Sequence, residues 1–193
     1  MDAICTSVIQ YDLSGDNILT LCRNRVKLHL YHDLLKFNNI IDAIGKFKRM
    51  ILLFPTKLDN NVSGHWVAVL LTGRVITHFD SYGFSWEKEL GYSTNQDVKR
   101  NLLGDLYKKA MGEGYTVNYN TYALQKMGNN INTCGRWCAM RVRFQYLDSE
   151  EFASLFYHQK LTPDMMITYL TFIGLKEDEL DEQQIIRTTM NKP

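Results

Sequence analysis

The stretch that decides the fold is Gly64–Asp80, with the sequence GHWVAVLLTGRVITHFD. Trp66–Leu71 and Val75–Asp80 are short runs rich in apolar and β-branched residues, and the Thr-Gly-Arg sequence between them is typical of a tight turn. This pattern predicts a β-hairpin. Because the strands of a hairpin are antiparallel neighbours, we expect the side chains of His65 and Asp80 to lie side by side at one end of it.

Other segments outside this hairpin have helical or strand periodicity. Further strands are predicted over Arg49–Pro55 and Tyr115–Leu124, and helices from near Asn17 (capped by Ser14-Gly15-Asp16), over His32–Lys46, Asp97–Lys109 and Cys134–Tyr146, and around Asp164–Gly174. The order of helix, strand hairpin, helix, strand and helix predicts one α+β domain.

The composition excludes several classes of protein. The chain has 193 residues, of which 45% are hydrophobic, so it can bury a core and is not a disordered chain. No apolar run approaches the roughly 18–20 residues that a membrane span needs. The formal net charge of +1 excludes a purely electrostatic nucleic-acid binder. The N-terminus lacks a basic region followed by a long apolar one, so we expect no secretory signal.

The four cysteines are too sparse for a disulfide scaffold and have the wrong spacing for a zinc site. Only Cys134 and Cys138 are close in sequence, and neither Cys5 nor Cys22 supplies a second close pair. We therefore expect free thiols in a reducing compartment and no metal.

Four polar residues form a pattern suited to a thiol nucleophile. Cys134 is predicted to begin a helix, where the macrodipole and free N–H groups favour a thiolate. His65 can take the thiol proton, and Asp80 can orient the imidazole. Gln125, predicted at the end of a strand, and the Cys134 N–H can donate to an oxyanion. Taken singly, each of these residues is more often structural than catalytic.

The motifs GHW (64–66), FDSYGFS (79–85) and CGRWCAM (134–140), with a Gln before the Cys, resemble the adenain-type cysteine proteases, the maturation proteases of adenoviruses. They resemble more loosely the SUMO-specific, ubiquitin-like proteases of the same clan. The likeness covers about residues 49–146. It implies a single-domain protease fold, in which a small central mixed β-sheet is flanked by helices and the nucleophile lies at a helix N-terminus.

The resemblance also implies a role for each catalytic residue. His65 would be the general base, Asp80 its orienting carboxylate, Cys134 the nucleophile and Gln125 the oxyanion donor. No cofactor would be required, although DNA or a peptide could act as an activator. The whole chain, 1–193, would be one domain with a helical part (1–48), a catalytic core (49–146) and an acidic tail (176–193).

The sequence departs from the family pattern in two places. Cys134 lies nine positions after Gln125, a couple more than in the family, so an amide from Asn129, Asn130 or Asn132 is an alternative oxyanion donor. Asp80 replaces the Glu of the adenovirus enzyme, which matters little because Asp is common elsewhere in the clan.

Three nearby residues have competing interpretations, and a fourth, Gly135, has one expected role. His78 is a rival base, although its place inside a strand favours His65. Cys138, one helical turn after Cys134, either packs in the core or resolves an oxidised nucleophile, and packing is favoured. Trp66 either covers His65, as the family implies, or packs in the core. Gly135 is expected to keep space open beside the sulfur.

The resemblance implies a cysteine endopeptidase that cleaves viral structural precursors near small residues such as Gly. The alternatives are a ubiquitin or ubiquitin-like isopeptidase, an acetyltransferase-type effector and a binding module with an unused site. The expected partner is a protein or peptide, without a membrane, in a virion or in host cytoplasm or nucleus. Residues 23–49 carry seven basic side chains, which either bind nucleic acid or form a solvated surface.

Overall fold

The computed structural model describes residues 9–55, 64–92, 100–128, 131–157 and 160–176. Within these ranges one mixed sheet runs in the order β1-β2-β3-β4-β5, with β2–β4 antiparallel and both edge strands parallel to their neighbours. The strands are β1 (Lys27–Leu30), β2 (Arg49–Pro55), β3 (Gly64–Thr72), β4 (Val75–Phe79) and β5 (Thr116–Tyr119). The α-helices are α1 (Gly15–Leu21), α2 (Ile40–Ile44), α3 (Trp86–Tyr92), α4 (Leu102–Gly112), α5 (Cys134–Arg143), α6 (Ser149–Ser154) and α7 (Pro163–Lys176), and Tyr31–Lys36 and Gly45–Phe47 are 3-10 helices.

Helices cover both faces of the sheet because its central strands are apolar on both sides. Ala68 and Leu70 of β3 pack with α1, α5, α6 and α7 in one core. Val67 and Val69, which alternate with them, pack with α2 and α4 in the other. The expected α+β class, with a small mixed sheet flanked by helices and Cys134 at a helix N-terminus, is confirmed.

The predicted hairpin of β3 and β4 is also present. Its strands pair from Ala68 with Phe79 to Thr72 with Val75, and Gly73 in the turn has a φ of +57°. Gly64, where β3 begins, lies so close to β2 that a Cβ there would be 2.2 Å from the carbonyl oxygen of Phe54.

Three predicted elements differ from the structure. His32–Lys46 is not one helix: Phe37 is extended and the Asn39 side chain begins α2 by accepting a hydrogen bond from the Asp42 N–H at 2.8 Å. The strand predicted over Tyr115–Leu124 is only Thr116–Tyr119, since its neighbour β4 ends at Phe79. The helix predicted over Cys134–Tyr146 ends at Arg143.

Other elements extend the predicted pattern. The N-terminal part expected to be helical also contains β1, and α3 and α6 were not predicted. The helix expected from Asp97 begins at Leu102, and residues 97–99 lie outside the described ranges, as does the acidic tail from residue 177. No helix in the described part of the chain has the length and apolar character needed to cross a bilayer.

Candidate active site

His65 and Asp80 meet at one end of the hairpin, as its topology predicts. His65 is the second residue of β3, and Asp80 directly follows β4. The distance from His65 Nε2 to Asp80 Oδ2 is 2.7 Å, and the residues are 7% and 0% exposed. With Nε2 directed at the carboxylate, the other ring nitrogen, Nδ1, is left for a second partner.

The positive charge of the His65 imidazolium and the negative charge of the Asp80 carboxylate stabilise each other. Burial alone would lower the pKa of His65, but the adjacent Asp80 carboxylate raises it well above the usual value. Burial likewise opposes ionisation of Asp80, yet the imidazolium of His65 lowers the pKa of that carboxyl to about 2. The arrangement therefore favours an imidazolium–carboxylate pair.

A turn and one asparagine hold Asp80 in place. The backbone N–H groups of Tyr82 and Phe84 donate to Asp80 Oδ1 at 2.6 and 3.4 Å. Asn120 hydrogen-bonds to both backbone polar groups of Asp80. Sequence reasoning missed Asn120, because its position after β5 becomes relevant only once β5 pairs with β4.

Cys134 is the first residue of α5, as predicted, and is 8% exposed. It lines the same groove as His65, and the two side chains interact electrostatically. The N-cap residue, Thr133, makes no side-chain cap, because its hydroxyl donates to Asp164 Oδ1 at 2.5 Å. The first N–H groups of α5 are consequently not satisfied by this side chain, which suits a helix terminus that stabilises negative charge.

Asp164 of α7 fastens the start of α5 in place. In addition to the Thr133 hydroxyl, it accepts hydrogen bonds from Trp137 Nε1 at 3.1 Å and from the Lys126 N–H at 2.9 Å. This buried carboxylate of α7 thus holds both the loop before Cys134 and the first turn of α5. No local sequence signal distinguishes Asp164 from a surface helix cap.

Gln125 lies in the cleft but does not end a strand, which corrects the basis on which it was predicted. Its backbone N–H donates to the Ser81 carbonyl at 2.9 Å, and its Oε1 accepts from the Ser81 hydroxyl at 2.7 Å. Its Nε2 donates to the Tyr82 hydroxyl and to the Ile131 carbonyl, both at 3.0 Å. Of the alternative donors, Asn132 gives its amide to the Gln10 carbonyl at 2.8 Å, and residues 129–130 lie outside the described ranges.

Two grooves meet at Cys134. One, of about 620 Å³, runs along Leu13, Trp66 and Gly135. The other, of about 320 Å³, contains His65 and Gln125. A chain lying across both grooves would pass over the sulfur. The residues that line both are Asp12, Gly64, Asn132 and Cys134.

The structure separates the two histidine candidates. His78 is fully buried and its ring packs edge-on against Trp86 and Tyr107. Burial lowers the pKa of His78 to about 4, and the residue lines neither groove at Cys134. His65, which lines a groove together with Cys134, therefore has the position that a base requires.

Cys138 packs in the core, as favoured from the sequence. It is 0% exposed, and its Sγ donates to the Trp66 carbonyl at 3.2 Å. Burial raises the pKa of this thiol well above its usual value, so it is held as a neutral thiol.

Of the two interpretations of Trp66, the structure supports core packing. Tyr82 lies over His65, with ring centroids 4.8 Å apart and planes 22° from parallel. Trp66 is on the opposite face of β3, where residues alternate, and packs against the core. Gly135 lines the larger groove beside Cys134, and because a Cβ there would lie 3.2 Å from side-chain atoms of Ile18 and Trp66, its small size also permits close packing.

Glu89 of α3 is a member of the site that sequence reasoning missed. It is 5% exposed, its Oε1 lies 3.8 Å from His65 Nε2, and one of its carboxyl oxygens lies within 4.8 Å of an Asp80 carboxyl oxygen. Burial, reinforced by the Asp80 charge, raises the pKa of Glu89 to about 8. Nothing in the sequence distinguishes it from Glu87, which is exposed on the same helix.

His65, Asp80 and Glu89 also form the group of described side chains whose metal-ligating atoms all lie within 4.8 Å of one another. His65 Nε2 donates its hydrogen to Asp80 Oδ2, so this nitrogen has no lone pair available for a metal. We interpret the cluster as one joined by hydrogen bonds.

The chain is similar to known structures at low identity. It matches the C-terminal Ulp1 protease domain, solved in complex with Smt3, the yeast orthologue of SUMO, at 12% identity and a TM-score of 0.38, over 87% of this chain and 80% of that one. It matches ChlaDub1 from Chlamydia trachomatis at 12% identity and a TM-score of 0.41, over 92% of each chain.

A comparison of sequences identifies a relative. No family model matches the chain. The uncharacterized protein V9 of Sputnik virophage is 30% identical over 166 residues, which cover 82% of this chain and 93% of V9. The chain therefore belongs to the same protein family as the uncharacterized protein V9 of Sputnik virophage.

Proposed function

We propose that the protein is a cysteine endopeptidase in which Cys134 is the nucleophile and His65 the general base. The observation that carries this proposal is the position of the His65 imidazole, which bonds to Asp80 at 2.7 Å through Nε2 and lines a groove together with Cys134, where a second groove meets it. This is the relationship between nucleophile, base and orienting group that thiol hydrolysis requires.

The reaction that we propose has two stages. Cys134 transfers its proton to His65 Nδ1, and the thiolate attacks the scissile carbonyl. Gln125 and N–H groups at the start of α5 stabilise the oxyanion, while His65 protonates the leaving amine. In the second stage, His65 takes a proton from water, the resulting hydroxide attacks the thioester, and the acid leaves as Cys134 regains its proton.

The substrate part of the proposal is a viral structural precursor, cleaved near a small residue such as Gly during maturation. Its support is the resemblance of the GHW, FDSYGFS and CGRWCAM motifs to the adenain-type proteases. The virophage origin of the related V9 protein agrees with a viral context, in a virion or in host cytoplasm or nucleus.

The direct test is cleavage of candidate capsid precursors and of a peptide panel that varies the residue before the scissile bond. We expect hydrolysis by the native chain and none by Cys134→Ala, with Cys138→Ala as the matched cysteine control. Proteolysis that survives in Cys134→Ala would overturn the assignment. Preferential cleavage of ubiquitin or SUMO C-terminal conjugates would replace the maturation role with the isopeptidase one, and acetyl transfer from acetyl-CoA would replace proteolysis altogether.

Activation by DNA or a peptide belongs to the same proposal, with the basic segment 23–49 as the DNA-binding surface. Several of its cations have partners in the protein: Arg49 donates to the Val142 carbonyl at 3.2 Å, Lys36 pairs with Asp33 at 2.6 Å, and Lys46 Nζ lies 5.2 Å from the centroid of the Phe47 ring. Duplex DNA of mixed sequence should increase kcat/KM, with binding that weakens as salt increases. Equal activity with and without DNA would remove this part of the proposal.

A further inference from the structure

We propose that Glu89 is a positioning residue of the catalytic centre: its protonated carboxyl donates a hydrogen bond to the Asp80 carboxylate and so holds Asp80 against His65. The inference rests on the proposed function, because it assigns Glu89 to that centre. It extends the chain of residues Cys134, His65 and Asp80 by a fourth member supplied by α3.

Glu89 and Asp80 are two carboxyl groups buried beside each other. They are 5% and 0% exposed, and an oxygen of one lies within 4.8 Å of an oxygen of the other. Carboxylates this close cannot both be ionised at neutral pH, so one of them carries a proton.

The proton of this carboxyl pair lies on Glu89. Asp80 accepts from His65 Nε2 at Oδ2 and from the Tyr82 N–H at Oδ1, and these donors favour its ionised form. The ionised form of Glu89 is less well stabilised, since Oε1 of Glu89 has no hydrogen-bond partner among the described residues. The proton therefore belongs to Glu89, in agreement with the rise of its pKa to about 8.

The ionisation of Glu89 affects the imidazole of His65. Glu89 Oε1 lies 3.8 Å from His65 Nε2, close enough for its ionisation to change the field at the imidazole. Above about pH 8, a second negative charge appears beside the pair and the hydrogen bond to Asp80 is lost. Glu89 thereby links the alignment of Asp80 to pH.

The charged and titratable groups around Glu89 come from several elements. Lys88, its neighbour on α3, opposes the rise in its pKa and lies with Nζ 3.7 Å from the centroid of the Phe84 ring. The remaining groups that face or influence Glu89 are His65 of β3, Asp80, Tyr82 of the following turn, and Cys134 and Cys138 of α5.

The test measures the reactivity of the Cys134 thiol and needs no substrate. Native protein, Glu89→Gln and Glu89→Leu are alkylated with iodoacetamide from pH 5 to 10, and Cys134 modification is followed by peptide mass spectrometry. Glu87→Gln and Glu87→Leu are matched controls on the exposed side of α3. Circular dichroism and thermal melts show whether each variant is folded.

We expect Glu89→Leu, which has no donor for Asp80, to slow alkylation at pH 6.5 roughly tenfold, because small misplacements of reacting groups are costly in rate. Glu89→Gln, whose amide still donates, should recover most of that loss and lack the ionisation near pH 8. The Glu87 controls should have the native profile.

Three results would overturn the inference: native-like alkylation by folded Glu89→Leu, an equal loss in both Glu89 variants, or an unchanged ionisation in Glu89→Gln. A profile that changes when EDTA is added would overturn it in favour of a metal at this cluster. The two proposals fail separately. If no peptide is cleaved while the alkylation profiles are as expected, the protease assignment fails and the positioning role stands. If peptides are cleaved but the alkylation profiles are not as expected, the protease assignment stands and only the role of Glu89 fails.

Discussion

Asn120 and Asp80 are joined by two hydrogen bonds between one side chain and one backbone unit. Asn120 Oδ1 accepts from the Asp80 N–H at 2.9 Å, and Asn120 Nδ2 donates to the Asp80 carbonyl at 2.6 Å. The amide thus continues the pairing of β4 and β5 after the last strand residues. As a result, the backbone of Asp80 is fixed independently of the hydrogen bonds that its carboxylate makes.

Asn120→Ala should therefore lower peptide cleavage by roughly tenfold or more, because small misplacements of a catalytic group are costly in rate. The residue is 2% exposed, so the unpaired backbone groups of Asp80 should also lower the free energy of unfolding by about 1–3 kcal/mol. Denaturant melts and kcat/KM measure both effects. Asn118→Ala on β5 is the nearby control, and equal effects of the two changes would contradict a specific role for Asn120.

Gly83→Ala should destabilise the turn that carries Asp80. Gly83 has a φ of +71°, and a Cβ there would lie 2.6 Å from the Tyr122 carbonyl oxygen. The left-handed conformation alone costs about 1–3 kcal/mol for a residue with a side chain, and the clash with backbone adds to it. Gly73→Ala is the control, because Gly73 also has a positive φ but open space around it. A Gly83 variant no less stable than the Gly73 variant would show that the clash is relieved.

Asp164→Ala should loosen the start of α5 and lower stability by more than Asp164→Asn. The alanine variant leaves the Thr133 hydroxyl, the Trp137 indole N–H and the Lys126 N–H without their acceptor, whereas the amide oxygen of asparagine can still serve some of them. Each buried donor left without a partner costs about 1–3 kcal/mol. Urea denaturation measures the difference, and equal losses in the two variants would contradict this anchoring role.

His78 should make the protein sensitive to mild acid. Burial lowers the pKa of His78 to about 4 from the ordinary value of 6.5, so between these pH values the unfolded chain binds a proton that the folded chain does not. This contribution to stability is present above pH 6.5 and is lost as the pH falls towards 4, with a slope of up to about 1.4 kcal/mol per pH unit.

His78→Gln lacks this titration and offers its Oε1 as an acceptor for the Tyr107 hydroxyl, which lies 3.1 Å from His78 Nδ1 in the native protein. Unfolding free energies measured from pH 4 to 7 should therefore fall less steeply in the variant. Glu89 acts with the opposite sign, since its raised pKa reduces stability as pH increases from 4.5 to about 8. Parallel curves for native and variant protein would contradict the role of His78.

The parts of the molecule that the sequence could predict are those set by local pattern. The bounds of β2 are the predicted Arg49–Pro55, and Cys134 begins its helix as expected, because hydrophobic runs and helix starts are encoded over a few residues. The closeness of His65 and Asp80 could also be predicted, since a short hairpin leaves little freedom of register.

The parts that could not be predicted depend on contacts between distant segments. Asn120, Asp164 and Glu89 act on the site only because β5, α7 and α3 pack beside it. Gln125 was expected at a strand end, but its position is set by Ser81, far away in sequence. Periodicity and motif spacing contain no information about such partners.

The hydrogen bonds of Gln125 have a consequence for inhibitor chemistry. Both hydrogens of its amide nitrogen are engaged, by the Tyr82 hydroxyl and the Ile131 carbonyl, so a hemithioacetal formed with a peptide aldehyde must displace one of them before the amide can bind its oxygen. An alkylating reagent forms no such oxyanion, so it does not have to displace a hydrogen bond of Gln125. Replacing Tyr82 with Phe would free one hydrogen, and aldehydes should then gain potency relative to chloromethyl ketones.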